Sequence, residues 1–342
     1  MESHHFNVGY RSALFVFMAA FLLACSGPQN VSLAPQGHQG SLGNGEHETL
    51  GAPHSWMAPE AKSRALLYVS SDSGEVLVFA YPGGKPVGML AGFEDPAGLC
   101  SDNKGDVFVV DSPAEQIVEY AHGGQSPIAT LSDSGNYPNG CFIDPESGDL
   151  AVAGGSQIYT TGNIAIYKNA QGPPAVYQST AVALNYCTYD GNGNVFAKGK
   201  SNGFDGVIAE LPRGSSQLSF VSLDKSIGQG GAIQWDGRYL AVGNPRDSAH
   251  PYGGPNTIYQ VEVSGSSATV VNTIELSDGK GAKRNKNPGG AQFWIQERTI
   301  IAPKGPTGGI GLWKYPKGGK VSETISENGT LVGVTVSTAS GK

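Results

Sequence analysis

Charge, helix-forming residues and long apolar runs are all scarce in this chain. Only 15% of its 342 residues are Asp, Glu, Lys or Arg, and Met, Trp and Cys number four each. Such a composition argues against a helix-rich fold. No Gly-x-Ser-x-Gly elbow, phosphate loop, His-Glu-x-x-His run or dinucleotide fingerprint lies in a supporting strand–turn–helix setting. No Cys-x-x-Cys or Cys/His spacing suggests a zinc site. The longest apolar run, residues 13–24, is too short to span a bilayer as a helix.

That run does have the length of a signal-peptide core, and Arg11 precedes it. It ends in Leu22-Leu23-Ala24-Cys25, which resembles the lipobox of bacterial lipoproteins. The resemblance implies that Cys25 carries a diacylglyceryl group and begins the mature protein. Ser26 after it fits sorting to an outer membrane. Residues 26–62 are rich in Gly, Ser, Pro, Gln and His and show no apolar period, so they read as a disordered tether. The expected layout is a signal peptide over 1–25, a tether over 26–62 and a folded body over 63–342. Cys100, Cys141 and Cys187 each sit in an apolar strand-like run. They read as three buried thiols, with a Cys141–Cys187 bridge as the alternative.

What the chain has in abundance is glycine, 50 residues, about twice the usual share. Much of it falls in a repeated turn. "AYPGGKP" (80–86), "EYAHGGQSP" (119–127), "YKNAQGPP" (167–174), "ELPRGSSQ" (210–217), "EVSGSSA" (262–268) and "YPKGGK" (315–320) each lie between two strand-like runs. Gly84, Gly124, Gly172, Gly214, Gly265 and Gly319 mark them, at intervals of 40, 48, 42, 51 and 54 residues. Repeats of that length with four strands each indicate propeller blades. Upstream of most turns runs an inner strand ending in Asp102, Asp144, Asp190 or Asp236. An Asp there accepts backbone N–H groups of its own turn, so these four are read as structural. The first unit lacks its inner strand, and "TLVGVTVS" (330–337) supplies one at the other end of the chain. The prediction is an all-β, six-bladed β-propeller whose first blade is closed by a C-terminal strand.

The stretch "PAGLCSDNKGDVFVVDSPAEQIVEYAHGG" (96–124) resembles an NHL repeat. The other units match its skeleton. NHL-like propellers include protein-binding, RNA-binding, carbohydrate-related and lyase members, so the resemblance implies the fold and leaves function to the site.

Sites on propellers gather where the loops leading into the inner strands meet those joining second to third strands. Eight Lys and Arg fall on such loops in a chain of net charge −7. Lys198, Lys200, Arg246, Lys283, Arg284 and Lys304, with Tyr186, are the candidate contacts for a ligand, anionic by this reading. The favoured function is an extracytoplasmic, lipid-anchored binding or scaffold module, monomeric, with a protein or glycan ligand and no cofactor. Nucleic acid is disfavoured by the acidic charge. The alternative is a metal-dependent lactonase- or hydrolase-like enzyme holding Ca2+ in the central funnel through Asp95, Asn139, Asn185 and Asn287.

Overall fold

The computed structural model describes residues 54–156, 161–181, 183–201, 205–229, 231–244, 256–277, 292–304 and 308–339. Its elements are almost all strands. They are β1 (Trp56–Met57), β2 (Leu66–Ser71), β3 (Glu75–Ala80), β4 (Pro86–Ala91), β5 (Pro96–Ser101), β6 (Val107–Asp111), β7 (Gln116–Tyr120) and β8 (Pro127–Ser132). There follow β9 (Tyr137–Ile143), β10 (Leu150–Gly155), β11 (Gly162–Tyr167), β12 (Ala175–Ser179), β13 (Ala183–Tyr189), β14 (Val195–Lys200), β15 (Gly206–Leu211) and β16 (Ser219–Leu223). The remainder are β17 (Ile233–Trp235), β18 (Leu240–Asn244), β19 (Asn256–Ser264), β20 (Ser267–Ser277), β21 (Trp294–Gln296), β22 (Thr299–Pro303), β23 (Ile310–Lys314), β24 (Gly319–Lys320), β25 (Glu323–Ile325) and β26 (Leu331–Ser337).

These strands form a β-propeller built from antiparallel meanders. The second sheet runs β5-β6-β7-β8 and the third β9-β10-β11-β12. The first runs β1-β4-β3-β2-β26, so the C-terminal strand supplies the inner position that the first unit lacks. Strands near the axis are apolar and buried along their length, as LLYVSS in β2 and VFVVD in β6 show. The outer strand β8, PIATLS, is mostly exposed. That gradient follows from position: an inner strand is covered on both faces by neighbouring sheets, an outer one is not. The apolar clusters accordingly lie between sheets. One joins β2, β3 and β4 to β5, β6 and β7, another joins the second sheet to the third, and another joins the first sheet to β22, β23 and β25.

The sequence predicts six separate blades, but the hydrogen-bonded sheets of the described residues number five. The meanders β13–β16 and β17–β20 share one nine-stranded sheet. Their outer strands approach closely enough for Ser222 and Leu223 to pair in parallel with Ser267 and Ala268. The end of the predicted tether also differs. Trp56 and Met57 pair with Met89 and Gly88 on β4, and a short 3-10 turn at Pro59–Ser63 buries Ala61 against the first sheet.

The four repeated Asp residues cap their own turns as expected. Asp102 Oδ1 accepts the N–H groups of Lys104 and Asp106, and Asp190 Oδ1 those of Asn192 and Asn194. Asp144 and Asp236 do the same for Glu146 and for Arg238 and Tyr239.

The cysteines are buried, but two of them are joined, and not in the pairing considered from sequence. Cys100 and Cys141 form a disulfide with their Cα atoms 5.7 Å apart, while Cys187 is free. Strand alternation explains the choice. Cys141 and Cys187 both stand three residues before their turn Asp, and Cys100 stands two before. Side chains alternate faces along a strand, so Cys141 and Cys187 point the same way around the ring and cannot face each other. Cys141 packs near the Phe108 carbonyl of the second sheet, Cys187 near the Ala151 carbonyl of the third. Cys100, one position out of step, points back at Cys141.

Candidate functional site

Three consecutive inner strands, like the closing strand β26, carry an irregularity near their leading ends. It falls between Pro96 and Leu99 in β5, at Asn139 in β9 and at Asn185 in β13. Such a bulge leaves one residue outside the ladder and bends the strand. Here the strands also close on one another. A Cβ on Gly98 would stand 2.6 Å from the Asn139 carbonyl oxygen and 3.2 Å from Cε1 of Tyr186. One on Gly140 would overlap the Tyr186 ring. Glycine at both places therefore admits the tyrosine, whose ring fills the space between the inner strands. Elsewhere, side-chain amides act as substitute strand partners. Gln292 donates to the Leu99 carbonyl (2.7 Å) and accepts from the N–H groups of Leu99 and Val334. Gln234 exchanges the same pair of bonds with Ile295, at 3.0 and 2.7 Å.

An open cleft of about 600 Å3 lies instead on the face of the Asp-capped turns, between the third sheet and the β13–β16 meander. Its apolar wall comes from Ile166, Pro174, Val195 and Leu211. Asp149 accepts Lys168 Nζ at 2.6 Å and the Asn169 N–H at 3.0 Å. Burial alone would raise the Asp149 pKa, but the Lys168 hydrogen bond and charge hold it below the usual value. Asp144 is occupied by the Glu146 N–H and the Ser147 hydroxyl. Arg213 lies along Gly193, and its backbone N–H is pinned by Asn194 Oδ1 at 2.9 Å. Its guanidinium makes no ion pair among the described residues. Tyr189 is 5% exposed, and its hydroxyl has no hydrogen-bond partner. Burial, with the nearby Asp149 and Asp144 charges adding to it, holds that hydroxyl well above the ordinary tyrosine pKa.

The chain is 35% identical over 92 residues to NHL-repeat-containing protein 4 of Homo sapiens, covering 72% of that protein and 25% of this one. This chain belongs to the NHL-repeat family. No family model matches it. Among solved structures it is similar in fold to a chain of a nidogen/laminin complex, with a TM-score of 0.61, 12% identity, and coverage of 80% of this chain and 99% of that one. It is also similar to a protein of unknown function from Bacteroides caccae, at a TM-score of 0.56, 13% identity and the same coverage. At these identities the two structures speak for the fold alone.

In this NHL-repeat chain two of the described candidate contacts named from sequence are buried. Tyr186 is buried, and burial pushes its pKa up. Lys198 is wholly buried, with Nζ donating to the Gly228 carbonyl at 3.0 Å, and burial lowers its pKa to about 7. Neither can meet a ligand as a surface group. The two are cross-strand partners at an inner-strand bulge: the Tyr186 ring stands against Gly98 and Gly140 of the preceding inner strands, and Lys198 reaches Gly228 ahead of β17. Lys200 ends β14 opposite Ala183, and Lys304 donates to Thr324 Oγ1 at 3.2 Å. Arg246, Lys283, Arg284, Asn287 and Cys25 lie outside the described residues.

Of the alternative metal donors, Asn139 donates to the Tyr137 carbonyl at 3.1 Å. Asn185 Oδ1 is buried without a partner. Burial, with Asp72 and Asp111 nearby, raises the Asp95 pKa. No three His, Cys, Asp or Glu side chains among the described residues come together as a metal-holding group. The cleft residues Lys168, Tyr189 and Arg213 were missed by sequence reasoning. Lys168 and Arg213 sit in the repeated turns "YKNAQGPP" and "ELPRGSSQ", which alone mark only the fold.

Proposed function

We propose that this chain is a binding and scaffold module rather than a catalyst. It is held outside the cytoplasm by a lipid on Cys25, and its six antiparallel meanders act as six blades. The observation that carries this reading is the contrast between the two faces of the described body. At the leading ends of the inner strands, Tyr186 fills the space and the amides of Gln292 and Gln234 are spent on backbone partners. On the opposite face a cleft presents the unpaired Arg213 guanidinium over an apolar wall, with the unpaired Tyr189 hydroxyl buried beneath. A shaped cleft with a few placed polar groups is what recognition requires, whereas metal catalysis needs donors converging on one point. The overall acidity disfavours a nucleic-acid ligand.

One feature favours the metal-dependent lactonase- or hydrolase-like alternative. Asn185 Oδ1, at an inner-strand bulge, is an oxygen donor with no partner, and Asn139 occupies the equivalent bulge of the preceding strand. The two readings separate on metal analysis of the purified protein, with thermal melting before and after chelation. The module reading expects no stoichiometric Ca2+ or Zn2+ and an unchanged midpoint. A bound divalent ion whose removal lowers the midpoint overturns it. The anchor is checked by Cys25→Ser, which should move the protein from the membrane to a soluble fraction; unchanged retention refutes the lipid.

A further inference from the structure

In the cleft between the third sheet and the β13–β16 meander, two hydrogen-bonding groups have no partner among the described residues. Both of its carboxylates are in use. Asp149 takes Lys168 Nζ and the Asn169 N–H, and Asp144 takes the Glu146 N–H and the Ser147 hydroxyl. Two donors are left over. One is the Arg213 guanidinium, laid along Gly193 at the mouth. The other is the Tyr189 hydroxyl in the floor, at the end of β13. An unpaired buried hydroxyl is costly, and proteins leave few of them.

We propose that this cleft binds an organic carboxylate with an apolar body. The carboxylate engages the planar fork of Arg213, which suits two-point contact with a carboxylate. The apolar body lies on Ile166, Pro174, Val195 and Leu211, beside the Tyr177 ring. About 600 Å3 is within the usual range for a small-molecule site. The Tyr189 hydroxyl is closed off from solvent, so pairing it takes a shift of the side chains over it. Of the cations lining the cleft, Arg213 is exposed and unpaired among the described residues, while Lys168 is held by Asp149. The selectivity follows from the charge on Arg213. A neutral amide of equal shape offers Arg213 a weaker, uncharged acceptor.

The proposal rests on reading the chain as a binding module, and its test is separate from the metal analysis. The full-length protein is titrated calorimetrically with hexanoate and 3-phenylpropionate, and with hexanamide and 3-phenylpropanamide as controls. Saturable binding of at least one carboxylate is expected, at least tenfold tighter than its amide. Arg213→Ala should weaken it about tenfold, the scale of one charge-assisted pair. Tyr189→Phe should weaken it several-fold, while raising the melting midpoint of the free protein because an unpaired buried hydroxyl is gone. Equal affinity for acid and amide overturns the proposal, as does binding that survives Arg213→Ala unchanged or no saturable binding of either acid. A bound metal in the chelation experiment would overturn the module reading and leave this titration to be judged by its own result.

Discussion

Replacing Lys198 by Met should stabilise the protein at neutral pH and destabilise it at alkaline pH. The Lys198 side chain is wholly buried, and its one resolved influence is burial, which lowers its pKa from 10.5 to about 7. The folded value lies below the unfolded one. Between the two, the unfolded chain binds a proton that the folded chain does not, so this group makes stability rise with pH. At 1.36 kcal/mol per pH unit, it costs roughly 4 kcal/mol near pH 7 and almost nothing near pH 10.5. Methionine has similar length and carries no charge to desolvate. It also gives up the hydrogen bond to the Gly228 carbonyl, at about 1–2 kcal/mol. The variant should therefore gain roughly 2–3 kcal/mol at pH 7 and lose about 1 kcal/mol at pH 10. Urea unfolding of both proteins across that range measures the difference directly. A difference that does not change with pH would refute the reasoning, because it would mean that Lys198 ionises alike in the folded and unfolded chains.

The Cys100–Cys141 bridge spans 41 residues, and loop-closure entropy puts its worth at about 4 kcal/mol. Cys100→Ser should lower the unfolding free energy by an amount of that order, and in the parent protein, in denaturant without reductant, Cys187 should alkylate while Cys100 and Cys141 do not; alkylation of the parent's Cys141 before reduction contradicts the pairing. Gly140→Ala should destabilise by about 2–4 kcal/mol, since its Cβ would overlap the Tyr186 ring and stand 2.8 Å from the Asn185 carbonyl oxygen. A thermal midpoint within a degree or so of the parent would show that the inner strands are looser than described.

Much of the architecture was legible because it is written in local chemistry. A Gly-containing turn between two apolar runs makes a hairpin wherever it occurs, and an Asp at the end of a strand caps the turn that follows. Six such turns at similar spacing therefore announce a repeat, and the Asp102, Asp144, Asp190 and Asp236 turns form as their sequence dictates. The closing strand was legible by subtraction, since one unit began without its inner strand and "TLVGVTVS" lacked a partner. The joining of β16 to β20 was not legible, because it depends on how far two neighbouring meanders splay at their outer edges.

The site was less legible for the same physical reason. Lys198 reads as a surface cation, because charged side chains are seldom fully buried. Only its place on β14, aimed at the Gly228 carbonyl ahead of β17, puts the ammonium inside. Lys168, Tyr189 and Arg213 are separated by 21 and 24 residues and belong to two sheets, so nothing local relates them. By itself the sequence determined the unit, the turn chemistry and the closure, all of which depend on neighbours a few residues apart. The tertiary structure alone decided which faces meet. That is a matter of strand alternation and of the angle between adjacent sheets, and it decided which cysteines pair, which lysine is buried and where Arg213 and Tyr189 come together without partners.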